Sequence, residues 1–466
     1  MADAAPFHLL IVGQGAAGLA AALSAVETAR ASALPLDVTL LEKASEDEAG
    51  GNTRWSPSYM RMAAADRVEP SFVDDMLAAT QGRGERTYFE RLAAEAPATL
   101  AWIAAHGVSF HQPVYYLAKG PPRIQPVGGG PAIVAALAQA ARAAGVTIRY
   151  GCAVESLLGD DGNIAGVRLG GGETIGARAI VLACGGFQGN AAMMREHFGA
   201  GGECIPLLAS RARFNTGDGI RMALGAGADA SGEWSGMHIE PVDPRSQGSA
   251  PVVLVYPYGI VVDRAGRRFF DEGAGLVHET WETFSRAVHF SAPGREVYAI
   301  LDSRLFAIPE WQRATRSEVP SYQADTIEAL ATTIGVDAAG LSATVAGYNA
   351  ACIGDPAQFD ATRCDGLAAA RTLSPAKSNW ARAIATPPFL AWPLIGAVAY
   401  TFGGVATDAR ARVLRGGAPI EGLYAAGEIT GHFYGTAPNA VSVLRAFVFG
   451  RIAGREAAGY IAAMKR

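Results

Sequence analysis

The apolar run His8 to Val12 predicts a short strand. It leads straight into Gly13-Gln14-Gly15-Ala16-Ala17-Gly18 and an alanine-rich stretch that predicts a helix to about Arg30. Val38-Thr39-Leu40-Leu41 reads as a second strand ending at Glu42-Lys43, which completes a βαβ unit. Apolar residues at spacings of three and four predict helices from Phe72 to His106, stopped by Gly107. Another helix is predicted from Pro131 to Gly145, with proline near its start and glycine at its end. A strand over Val146 to Cys152 follows, then a hairpin turning at Asp160-Asp161-Gly162-Asn163, then the wholly apolar strand Ala179 to Ala183 running into Gly185-Gly186. Between about Gly232 and Leu373 the pattern changes to strand pairs, irregular helices and many aromatics. One such pair spans Gly259 to Phe270 around an Asp-Arg-Ala-Gly turn. From Tyr400 the glycine-punctuated strand pattern returns, closing on Gly422-Leu-Tyr-Ala-Ala-Gly-Glu428 and a final helix. The pattern predicts an α/β fold in which residues 1–231 and 374–466 form one split domain and residues 232–373 an inserted α+β cap.

Composition narrows the class. The chain has 466 residues, half of them hydrophobic, with 39 basic and 44 acidic side chains and a net charge of −5. That excludes a disordered chain and argues against a nucleic-acid or anionic-membrane surface. Five scattered cysteines, an odd number without a CxxC, fit a reducing compartment better than a disulfide framework or a metal site. The first residues lack the basic segment of a signal peptide, so the expected location is the cytoplasm. Residues 383–407 form an uncharged run of 25 residues, but Pro387, Pro388, Pro393 and Gly403-Gly404 would break a membrane-spanning helix. Buried strands and turns are expected there, and no integral membrane span.

The glycines at 13, 15 and 18 sit between a strand and a helix, where a dinucleotide needs them. The first makes the tight turn, the second lets backbone approach a pyrophosphate, and the third permits close helix–strand packing at the positive end of the helix dipole. Glu42, ending the second strand, is placed to accept hydrogen bonds from ribose hydroxyls.

Six ordered motifs carry a more specific signal: the N-terminal unit, Gly50-Gly-Asn-Thr-Arg-Trp-Ser56, Ala183-Cys-Gly-Gly-Phe187, Asn215-Thr-Gly-Asp-Gly219, Gly403-Gly404 and Gly422 to Glu428. Together they resemble the fumarate reductase/succinate dehydrogenase flavoprotein family over nearly the whole chain, least from about Gly275 to Leu373. The resemblance implies a split Rossmann-like FAD-binding domain with a capping domain over substrate. It implies that Gly13, Gly15, Ala16, Ala17 and Gly18 hold the pyrophosphate, and that Glu42 with Lys43 meets the adenosine ribose. Gly51, Asn52 and Thr53 approach the phosphates and isoalloxazine, Ala153 or Val154 meets the adenine, and Asp218 braces the site. Gly427 and Glu428 meet the ribitol, while Ser442, Val443 and Leu444 present backbone N–H groups to the pyrimidine edge of the flavin. Members with covalent flavin carry a histidine near the GG[ST] segment. None lies between Glu42 and Trp102, so noncovalent FAD is expected.

The substrate residues depart from the fumarate pattern. Arg268-Phe-Phe-Asp-Glu-Gly273 is present, but Ala274, Gly275, Leu276 and Val277 follow without the family's arginine, and Gly431-His-Phe-Tyr-Gly-Thr-Ala-Pro-Asn439 lacks the late carboxylate-binding arginine. Two unpaired carboxylates in a dry pocket would be very costly, which weakens succinate or fumarate as substrate. These two segments look more like tricarballylate dehydrogenase-like enzymes and 3-ketosteroid dehydrogenases. The candidates for substrate chemistry are Tyr434, His432, Tyr400, His278 and Arg445; against each stands a bland role as lining, core or surface residue. His111, Tyr115, Tyr116 and Arg123 form a further polar-aromatic cluster better read as a solvated loop. Trp234, Met237 and His238 lie near the cap junction with no assigned chemistry. The expected function is α,β-dehydrogenation of a small carboxylate- or ketone-activated molecule. A separate electron acceptor or donor is needed, because no iron–sulfur cysteines are present. The alternatives are an enoate reductase working in reverse and a flavin electron-transfer subunit without substrate chemistry.

Overall fold

The computed structural model describes residues 7–113, 117, 120–159 and 163–464. Tyr115, Tyr116 and most of the turn at 160–163 lie outside the described residues. The chain forms two compact units. The first comprises Met1–Pro113, Pro121–His238 and Ala399–Arg466, and the second Val114–Gly120 and Ile239–Val398.

The first unit is built on a six-stranded sheet. Its strands are β1 (Phe7–Val12), β2 (Leu36–Leu41), β3 (Thr147–Arg149), β4 (Ala179–Leu182), β5 (Arg412–Arg415) and β6 (Ala418–Ala425), in the order β5-β6-β4-β1-β2-β3. All neighbours are parallel except the β5–β6 hairpin. Leu9, Leu10 and Ile11 are fully buried, as are Ala179 to Leu182, which explains why these strands are continuous apolar runs rather than alternating ones. The strand order reverses between β1 and β4, and the open crevice of such a sheet lies at the carboxyl ends there.

Four helices complete this unit: α1 (Ala16–Ala31) and α4 (Ser442–Ala463) lie on the sheet, α2 (Arg86–Ala105) packs on α4 and α3 (Gly129–Ala143) on α1. Helix α1 is alanine-rich because it is buried on almost every side. Helix α4 packs against it through glycines: a Cβ on Gly450 would stand 2.4 Å from Ala17 O, and one on Gly454 2.2 Å from Ala21 O. Those pairings advance together, so the two helices run parallel. The helical stretch expected from Phe72 to His106 is two helices, Phe72–Ala79 and α2. Gln81 and Gly82 adopt positive φ between them, and a Cβ on Gly84 would clash with Phe89 and Thr80.

The second unit is a mostly antiparallel sheet. Ile260–Val262, Val297–Asp302 and Phe389–Thr401 are successive neighbours, Met237–Val242 flanks the last of them, and Tyr322–Ala324 also pairs with it. Helices Ile327–Ile334 and Ala338–Ala351 bury Leu330, Leu341 and Tyr348 against Ile300 and Ala391. The expected strand pair around Asp263–Gly266 is reduced to one bridge, Val262 with Arg268. The turn itself forms, with Asp263 accepting from the N–H groups of Ala265 and Arg267. Beyond it Arg268 and Glu272 make a fully buried ion pair at 2.6 Å, and Lys377 donates to the carbonyls of Pro257 and Gly259 with Glu272 at 3.7 Å. The RFFDEG segment thus ties the second unit together. Lys377 and Trp380 are buried in that unit, so the chain crosses back at Val398 rather than near Leu373, and the forward crossing follows His238 rather than Ser231. The uncharged 383–407 run contains the strand Phe389–Thr401, and no helix among the described residues is long and apolar enough to cross a membrane.

Candidate functional site

The glycine-rich loop after β1 performs the three geometric tasks asked of it. Gly13 has φ +104°, and a Cβ there would meet Ala183 O at 2.5 Å. A Cβ on Gly18 would stand 1.8 Å from Gly13 O, so only glycine lets α1 start this close to β1. Gly15 is different: the nearest neighbours of a Cβ there would be Thr53 Oγ1 at 3.8 Å and Gly50 O at 4.0 Å, and a Cβ on Gly51 would stand 3.9 Å from Gly15 Cα. These two glycines bound an open cradle at the N-terminus of α1, the shape and polarity a diphosphate needs. Thr53 Oγ1 accepts from the Ala16 N–H at 3.1 Å, so Thr53 is already on the floor of that cradle.

Glu42 is buried and accepts from the N–H of Gln14 and of Ala44, both at 2.8 Å. Each carboxylate oxygen keeps a further lone pair, as a ribose partner requires. Lys43 donates to Thr216 at 2.6 Å and to Asp218 at 2.8 Å. Burial pushes against ionisation of Asp218, but Lys43, Thr216 and Arg221 outweigh it and hold the carboxyl below its usual range. Lys43 and Asp218 therefore brace the end of β2. The Ala153 carbonyl accepts from the Gly170 N–H at 2.8 Å, and Val154 pairs with Leu169 in an antiparallel sheet that begins beside Glu42.

At the other end of the cradle, Asn52 donates to Ala399 O at 2.9 Å and to Glu428 at 3.1 Å, while the Thr401 N–H donates to the same carboxylate at 3.1 Å. Gly186 is glycine because a Cβ would meet Glu428 at 2.3 Å. Burial pushes the Glu428 carboxyl up to about 7 against the hydrogen bonds it accepts. Gly427, at φ +85°, rests on Ala17. Buried Gln188 Oε1 and Asn215 Nδ2 nearby have no hydrogen-bond partner, as expected where a polar ligand completes the site. Gly450 lies opposite Ala17, so the first turn of α4, with Ser442, Val443 and Leu444, projects about 10 Å beyond the start of α1. Two helix N-termini therefore point the same way, offset along their common direction.

The candidates for substrate chemistry separate sharply. His432 is 2% exposed, stacks on Tyr88 with ring centroids 3.7 Å apart, and bonds Thr407 Oγ1 through Nε2 at 2.8 Å. Burial, helped by Arg445, pulls its pKa down to about 3, so it is a neutral core imidazole rather than a group open to substrate. Arg445 is 1% exposed, donates to Thr430 O at 3.2 Å and lies 3.9 Å from the Phe433 ring; a surface salt bridge does not describe it. The Tyr434 hydroxyl accepts from the Gly232 N–H at 3.1 Å. Ser231 spends its own proton on Gly431 O, so at 3.4 Å it can only accept from the phenol. Tyr400 is half-buried, with its ring 4.9 Å from that of His238. Its neighbours Ala399 and Thr401 are held through their backbone atoms by Asn52, Gln188 and Glu428, so Tyr400 sits on a strand segment fixed to the cofactor cradle. His278 lies in the helix Val277–Phe290 of the second unit. His111 sits on a two-residue strand paired with Gln125–Pro126.

Over residues 8–442 the chain matches the family model described as FAD binding domain. The chain belongs to this family. It is 28% identical to the Probable fumarate reductase Ifc3 of Shewanella frigidimarina, an alignment covering 97% of this chain and 74% of that protein. It is 31% identical to the 4-oxocyclohexanecarboxylate 2-dehydrogenase of Sinomonas cyclohexanicum over 72% of this chain and 62% of that one. A flavocytochrome c3 fumarate reductase in its open conformation superposes with a TM-score of 0.79 at 24% identity, over 98% of this chain and 79% of that one. The protein is thus an FAD-dependent oxidoreductase of the group that acts on carbon–carbon bonds, and the cradle of Gly15, Gly51, Glu42 and Glu428 fits the cofactor.

Several site residues escaped sequence reasoning. Gln188 directly follows a quoted motif and Asn215 opens another, so adjacency was the available signal. Tyr88 carried none: it occupies an ordinary apolar position of α2, far in sequence from His432. His238 was flagged only by position, and Thr401 not at all.

Proposed function

We propose that the protein dehydrogenates a CH–CH bond next to a ketone or carboxyl carbonyl, with Tyr400 as the residue that takes the proton and His238 as its partner. When bound, FAD supplies the hydride acceptor, at N5. Removal of hydride from one carbon and of a proton from its neighbour leaves the double bond, so the chain must provide a proton acceptor beside the flavin. The observation that carries this reading is the placement of Tyr400, half-open, against His238 and on the strand segment clamped by Asn52 and Glu428. The absence of arginine from residues 274–277 and 431–439 disfavours a dicarboxylate held by paired cations, and a phenol suits a carbonyl-activated substrate. The 4-oxocyclohexanecarboxylate relative supports a cyclic ketone; the fumarate reductase relative supports the second reading, reduction of an enoate. The FAD is bound noncovalently, electrons pass to a separate acceptor, and the five unpaired thiols support a cytoplasmic location.

Anaerobic titration of the holoprotein with saturated cyclic ketones and carboxylic acids, tricarballylate included, tests this directly. Bleaching of the flavin band by one of them, slowed about 100-fold or more in Tyr400→Phe, is the expected result. If only the matching unsaturated compounds react, and with the reduced protein, the reductase reading replaces it. A Tyr400→Phe variant with unchanged rates removes the proton role.

A further inference from the structure

We propose that Arg445 is an electrostatic partner of the flavin, a fixed positive charge behind the first turn of α4 that favours the electron-rich reduced form and makes the bound cofactor a stronger oxidant. This rests on the FAD assignment and on the pyrimidine edge lying at that turn, and it deepens the dehydrogenase reading.

The argument begins with what a buried cation normally has. Arg268 and Lys377 share Glu272, and Arg61 is paired with Asp75. Arg445 is as deeply buried, yet among the described residues it has no carboxylate within 4.0 Å, and its Nε has no hydrogen-bond partner. Its neighbours are neutral groups: the carbonyl of Thr430, the aromatic face of Phe433 and the phenol of Tyr88. Burying a charge without a counter-ion is costly. The position makes it more so, because residue four of a helix lies at the positive end of the dipole, where a cation is repelled. A natural chain tolerates such a placement where something negative arrives. The neighbouring groups supply it only in part: His432 is held neutral, burial keeps Tyr88 protonated, and Glu428, which does feel the Arg445 charge, lies beyond 4.0 Å and is itself pushed toward its neutral form by burial. What remains is a ligand whose charge grows negative at the α4 N-terminus, and a two-electron-reduced flavin does that at its pyrimidine edge. The exclusion of solvent around Arg445 preserves the strength of the interaction. It also rules out the role of substrate clamp, because no face of the guanidinium is exposed.

Sulfite is a suitable probe, since its addition to oxidised flavin places negative charge on the same edge without any substrate. The holoprotein is expected to bleach with sulfite. Arg445→Met should weaken sulfite binding at least tenfold and shift the reduction equilibrium against a reference dye by a similar factor, about 30 mV for a two-electron couple. Arg445→Lys, which keeps the charge, should stay within threefold of the parent. Arg445→Met with flavin bound and both quantities within twofold of the parent overturns the proposal. If the variant does not fold, the parent decides: a flavin-loaded parent indifferent to sulfite overturns it equally. A purified chain with no flavin absorbance overturns the cofactor assignment instead, a failure that the spectrum makes distinct.

Discussion

Alanine at Gly454 and alanine at Gly459 should change stability in opposite directions, although both sit in α4 and both gain helix propensity. In an exposed helical position the exchange is worth about 0.5–1 kcal/mol in favour of alanine. Gly459 has nothing within 4 Å of where its Cβ would stand, so Gly459→Ala should stabilise by about that amount. At Gly454 the added carbon would stand 2.2 Å from Ala21 O, a backbone atom of a helix packed on the sheet. Ordinary contact begins near 3.4 Å. The helices must therefore part by more than an ångström, and overpacking of this kind typically costs about 1–3 kcal/mol, before propensity offsets part of it. Net destabilisation of about 1–2 kcal/mol is expected, a gap of about 1.5–3 kcal/mol between the two variants. Because α1 and α4 also set the distance between the diphosphate cradle and the flavin-facing turn, Gly454→Ala should weaken FAD binding while Gly459→Ala leaves it unchanged. Thermal unfolding of the flavin-free proteins, followed by FAD titration, reads both. A Gly454→Ala protein as stable as the parent, or a Gly459→Ala protein equally destabilised, would refute the close-packing argument.

Two pH dependences follow from buried groups. Glu428 titrates at about 7 in the fold against an ordinary 4.5, so the folded chain holds an extra proton and stability falls as pH rises from 4.5 through 7. Flavin-free Glu428→Gln should lose that decline, gaining on the parent at pH 8 but not at pH 4; parallel stability curves would contradict it. His432 is displaced the other way, to about 3 from 6.5, so stability falls as pH drops below 6.5, by about 3 kcal/mol at pH 4. His432→Gln should be less stable at pH 7 but flatter toward acid, and an equally steep acid limb would show that other groups dominate.

The first βαβ unit was legible because its physics is local. A strand, a turn that only glycine allows and a helix start within six residues of one another leave a signature in any chain that makes them. The Glu42–Gln14 and Lys43–Asp218 contacts were legible in part, since a strand-end acid has few other uses. The boundary at Val398 was not, because no local pattern assigns residues 374–398 to either domain and only their tertiary partners, Pro257, Gly259 and Glu272 around Lys377, place them in the second unit. The position of the break was likewise hidden: the apolar spacing continues on both sides, while Gln81 and Gly82 take positive φ and Gly84 leaves no room for a Cβ beside Phe89 and Thr80.

The Gly431–Asn439 segment shows how far residue type can mislead. A histidine and a tyrosine flanked by glycines beside a flavin invite a catalytic reading, but the polar atoms turn inward. His432 is spent on Thr407, Tyr434 on Gly232 and Ser231, and the Gly435 N–H on Glu233, which Arg83 also holds while lying over the Tyr434 ring. Freeing the buried His432 for proton transfer would break a hydrogen bond inside a packed core, at roughly 1–3 kcal/mol for each group left unsatisfied, and freeing the half-buried Tyr434 would break hydrogen bonds to Gly232 and Ser231. The same inward commitment fixes Thr430, and through it Arg445, at the start of α4. The segment is then best understood as a scaffold that sets the electrostatics of the flavin from behind. In the reading proposed above, proton chemistry falls to the half-buried Tyr400, which lies against His238 on a strand anchored to the cradle by backbone atoms.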